Sequence, residues 1–180
     1  MALRDVILAT QADLRANADH AIATFSADSR QVEGLRSETK IRQFSLTVDE
    51  PPMLGGTDAG PNRVELVLAA LATCQEITYR AYATALGIPL ESVSVRLEGL
   101  LDLRGFFAVK DDVRAGFSEV RGVVNLKSSA PAAELAKLKE VSTRTARSWI
   151  YCARRCRWIS NWKRSEHSSP PDVGETRQGV

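Results

Sequence analysis

Hydrophobic and polar positions change rhythm several times along the chain, and each change marks a predicted element. The opening stretch MALRDVILATQADLRANADH reads as an amphipathic helix. HAIATFSADSRQVEG and TKIRQFSLTVDEPP then alternate weakly at period two, as half-buried strands do, and Gly34 between them predicts a hairpin. The loop MLGGTDAGPN, dense in glycine and proline, ends this sheet. Asn62, with Glu65 three residues later, forms a capping-box pattern and starts a helix. From Val64 to Cys74 that helix is apolar almost all round, which predicts a central, buried element; Gly87 and Pro89 end it. SVSVRLEGLLDLRGFF and FSEVRGVVNLK read as two longer strands joined by the charged connection AVKDDVRAG. PAAELAKLKE opens the second of two central helices, with proline in its first turn. The order is α-β-β-α-β-β-α without internal repeats, an α+β pattern with sheets segregated from helices.

Composition narrows the class. At 180 residues, 44% apolar and 26% charged, the chain is one domain with extensions and long enough to bury a core. No apolar run approaches the roughly 18 to 20 residues that cross a bilayer, and the acidic Asp5 near the start breaks the order of a signal peptide. Three cysteines without an export signal predict reduced thiols in the cytoplasm. The net charge of +2 hides an asymmetry. Residues 1–140 hold 16 basic and 19 acidic side chains, residues 141–180 hold 8 and 3, and all three tryptophans lie between 149 and 162. The chain therefore divides into an N-terminal helical extension (1–18), a folded domain (19–140) and an aberrant or disordered basic tail (141–180).

Cys74 is the residue with chemistry to offer. On composition alone it is a core residue, since free cysteine packs like a small hydrophobe. It lies three turns inside its helix, beyond the reach of the N-terminal dipole, so activating its thiol takes a neighbouring cation such as an arginine.

The run LGGTDAGPNRVELVLAALATC, followed by GIPLESVSVRLEG, resembles the OsmC/Ohr family of thiol-dependent peroxidases, and the OsmC-like subgroup in particular. The similarity covers roughly residues 20–140, and the LGGTD…C block is its most specific part. It implies an α+β, OsmC-like fold wrapped into an intertwined homodimer with active sites at the interface. It implies that Cys74 attacks the O–O bond of an organic hydroperoxide and becomes a sulfenic acid, as part of a response to oxidative stress. A second cysteine on the next helix then closes a disulfide that a small dithiol or thiol reduces. Neither cofactor nor metal is implied. The activating arginine comes from the N-terminal strands, where Arg36 and Arg42 are both candidates.

Two departures stand out. Ten positions before Cys74, where many peroxidases of the family carry a glutamate, this chain has Val64; Glu65 is one residue later and about 100° round the helix. No second cysteine follows AELAKLKE in the family's C-P-V pattern; VSTRTARSWIYCARRCRWISNW stands there, a poor amphipathic helix and a poor strand. Regrouping its codons by one base makes Trp149–Ile150 and Trp158–Ile159 each give Asp, and Tyr151–Cys152 and Asn161–Trp162 each give Leu. A cysteine or serine is allowed across Thr145 and Ala146, and one permitted reading is VDAHCPVLDILRAPVPVDIKLE. The tail is therefore expected to be frame-shifted from about residue 141. Cys152 and Cys156 lack the further ligands of a zinc site. RRCRWISNWKR has the charge and rings of a single-strand nucleic-acid binder, but nothing else on the chain resembles one, so neither nucleic acid nor membrane is an expected partner. The competing reading is a non-catalytic dimer that binds a small apolar ligand, with Cys74 inert in the core.

Overall fold

A computed structural model of the chain describes residues 2–148 and 157–164. Helix α1 (Leu3–Ala16) is followed by strands β1 (Asp28–Glu33), β2 (Arg36–Ile41) and β3 (Phe44–Val48), which form an antiparallel sheet in that order. Helix α2 (Arg63–Leu86) leads to β4 (Ser92–Leu101), the single-turn α3 (Leu103–Phe106), β5 (Phe117–Lys127), α4 (Ala132–Ser148) and β6 (Arg157–Arg164). The last three strands make a second sheet, β4 antiparallel and β6 parallel to β5.

The core lies between α2, α4 and the inner face of this second sheet. Tyr79 and Ala83 from α2 meet Leu135 and Leu138 from α4, with Val124 and Leu126 of β5 beneath. The spacing explains the packing: 135 and 138, like 79 and 83, are a turn apart and share a helix face. The seam is hydrogen-bonded as well, by Thr145 to the Tyr82 hydroxyl at 3.2 Å. Burial raises the Tyr79 pKa above its ordinary value, against a smaller lowering from the hydroxyl of Thr143. Two further bonds fix α2. Glu76 accepts from the Val95 amide on the open edge of β4 (3.2 Å), and Arg80 donates to the carbonyls of Leu90 and Glu91.

Several elements differ from the sequence expectation for physical reasons. TKIRQFSLTVDEPP is two strands, because Arg42, at φ +56°, turns the chain between Ile41 and Phe44. A two-residue turn of Arg and Gln carries none of the Gly or Asn signals of such hairpins. HAIATF is a short 3-10 turn and extended chain, with β1 starting only at Asp28. SVSVRLEGLLDLRGFF breaks at Asp102, whose carboxylate caps α3 by accepting from the Arg104 amide (3.0 Å). Helix α4 runs through residue 141 to Ser148, and Arg157–Arg164 pair along β5 from Glu119 to Leu126. The open edge of β5 supplies backbone partners whatever the side-chain pattern, which is how a stretch that reads as a poor strand becomes one. Cys152, Cys156 and the end expected to be disordered lie outside the described residues.

Helix α2 also departs from expectation. Its buried residues are Leu71, Gln75, Tyr79 and Ala83, one stripe at four-residue spacing, and nothing from Arg63 to Ala70 is buried. Ile77 on the opposite side is 68% exposed. Within one chain the apolar helix is half covered, not central on all sides.

Candidate functional site

The segment from Asp49 to Asn62 builds the start of α2. Asp49 is buried and its carboxylate accepts four hydrogen bonds: from the amides of Glu50 (2.8 Å), Thr57 (2.9 Å) and Ala59 (3.2 Å), and from the Thr57 hydroxyl (2.6 Å). The Thr57 hydroxyl leads the causes that lower its pKa, from 3.8 to about 2, the backbone amides adding to it against the cost of burial. Gly56 lies so close to the Glu50 backbone that a Cβ there would overlap the carbonyl. The chain then reaches Asn62, whose Oδ1 accepts from Val64 (3.1 Å) and Glu65 (2.9 Å), while Glu65 accepts from the Asn62 amide (2.8 Å). The capping box read from the sequence is formed, and at the far end Gly87 closes the helix at φ +71°.

This latch has a signed pH dependence. A carboxylate with a lowered pKa adds stability above the ordinary carboxylate range, and the contribution is lost as pH falls through about 2. Asp49→Asn is expected to lower the thermal midpoint at pH 7, with the gap to wild type narrowing as pH drops from about 4 towards 2. Circular-dichroism melts across that range check it; a gap independent of pH would assign the loop's stability elsewhere.

Cys74 lies on α2 at the border between the buried stripe and the open face, half-buried, with Gln75 beside it buried. Its carbonyl accepts from the Thr78 hydroxyl (2.7 Å). Along the helix from Cys74, Val67, Ala70 and Ile77 lie within about 60° of it, and all are exposed. The two candidate arginines bond within their own sheet: Arg36 to Glu33 (3.1 Å), and Arg42 over the Phe44 ring, 5.2 Å from its centroid. Among the described residues neither is joined to Cys74 within one chain.

The structure adds a cluster that periodicity did not reveal. Glu50, at the end of the N-terminal sheet, pairs with Arg63 at the first turn of α2, and the guanidinium lies 4.1 Å over the ring of Phe106 in α3. These groups wall a groove of about 770 Å³. The partners are 13 and 43 positions apart in sequence, so no local pattern announces them. Among the described residues no group of three or more His, Cys, Asp or Glu is placed to hold a metal, and no helix is long and apolar enough to cross a membrane.

A glycine-rich, carboxylate-latched loop that starts a long helix bearing a half-buried cysteine, framed by two small sheets, defines an α+β protein. The OsmC-like protein family model matches residues 56–152, more than half of the chain, and the chain belongs to that family. No curated protein matches it in sequence. Among solved structures, the OsmC-like protein of Mycoplasma pneumoniae superposes with a TM-score of 0.67 at 18% identity, over 80% of this chain and 99% of that one. An organic hydroperoxide resistance protein OsmC from Legionella pneumophila gives 0.56 at 20% identity, covering 78% and 97%. One from Elizabethkingia anophelis gives 0.59 at 17%, covering 81% and 98%. At these identities the likeness is one of fold.

Proposed function

We propose that the chain is a thiol-dependent peroxidase of organic hydroperoxides, acting through Cys74 in the response to oxidative stress. The observation that carries this reading is the place of Cys74, a half-buried cysteine at the border between the buried stripe and the open face of α2, on the helix that the latched LGGTD loop starts. The hydroperoxide-resistance proteins of the same fold support it. In the reaction the Cys74 thiolate attacks one peroxide oxygen, the O–O bond breaks, and the alkoxide leaves to take up a proton as the alcohol. The sulfur, oxidised by two electrons, is left as sulfenic acid. One external thiol condenses with it, releasing water, and a second reduces the mixed disulfide and restores Cys74. This one-cysteine cycle fits the chain as written, and it needs no cofactor.

The working unit of the proposal is an intertwined homodimer in a reducing, cytoplasmic setting. A partner's N-terminal sheet then brings Arg36 or Arg42 towards Cys74, where a cation favours the thiolate. Treatment of the folded protein with cumene hydroperoxide and dimedone is expected to label Cys74, detected by peptide mass. A thiol that is labelled or alkylated only after unfolding would mean a structural core cysteine. Of the two arginines, the activating one is expected to slow sulfenic-acid formation by roughly 10- to 1000-fold when changed to glutamine, and the other to have little effect.

A further inference from the structure

We draw no further inference here: the strongest candidate, the surface patch at the β4–β5 connection where the apolar side chains of Leu100, Leu103 and Val109 stand exposed, is an unpartnered face, and nothing in the structure shows what covers it.

Discussion

Cys74→Ser is expected to abolish hydroperoxide reduction while leaving the fold intact. The replacement is close to isosteric, but a hydroxyl neither ionises near neutral pH nor cycles through a sulfenic acid. The loss of turnover should therefore be on the order of 1000-fold or more, as for removal of a covalent nucleophile. Stability is the second readout. Cys74 is half-buried at the rim of the packed stripe, not within it, so the change should cost no more than about 1 kcal/mol. Peroxide consumption with tert-butyl hydroperoxide and a dithiol reductant, beside a urea titration, measures both. Activity that survives would move the chemistry off Cys74. Full loss of stability with no activity in wild type would make the residue a core filler. Only lost activity in a stable protein fits a reactive thiol.

Local signals in the sequence carried the fold where the fold is locally determined. The Asn62–Glu65 box, the Gly87 stop and the strand FSEVRGVVNLK, which is β5 residue for residue, each depend on neighbours within a few positions. What escaped depends on distant partners. The Asp49–Thr57 latch spans eight positions across two prolines and two glycines, where no periodicity survives. The pairing of Glu50 with Arg63 and the stacking on Phe106 join three separate segments. Arg36 and Arg42 are legible as cations of the N-terminal strands, but the bonds that hold them, to Glu33 and over Phe44, are set by the hairpins. Apolarity all round α2 predicted complete burial, and the stripe of Leu71, Gln75, Tyr79 and Ala83 supplies only part of it. Hydrophobic pattern states how much surface a helix must cover; it does not say which chain covers it.

That uncovered remainder leads to the second large effect: Ile77→Glu is expected to split a homodimer into monomers. The N-terminal sheet holds no buried residue on either face, with Val32, Leu35, Ile41 and Phe44 all exposed, although a three-stranded sheet needs one face covered to persist. The open side of α2 shows Val67 and Ile77, and α1 beside it leaves Leu3 and Val6 in solvent. Two incomplete layers on one molecule are complementary to the same two layers on a second copy. An isologous pair would bury both at once, with each Cys74 close to the seam. A glutamate at position 77 would then place a charge in a desolvated apolar contact, at a cost of about 2 kcal/mol or more, or at least about 30-fold in the dimer dissociation constant. Sedimentation should find wild type at twice the 19.7 kDa of one chain, and Ile77→Glu shifted towards the single mass with a lower melting temperature. Val67→Glu, 10 positions earlier and also exposed on the open side of α2, about 80° round the helix from Ile77, should act in the same direction. If both variants stay at the wild-type mass, the open face of α2 is not the contact. If wild type itself is a stable monomer, the arginines of the N-terminal sheet have no route to Cys74 through a partner, and the thiol must be activated from within its own chain.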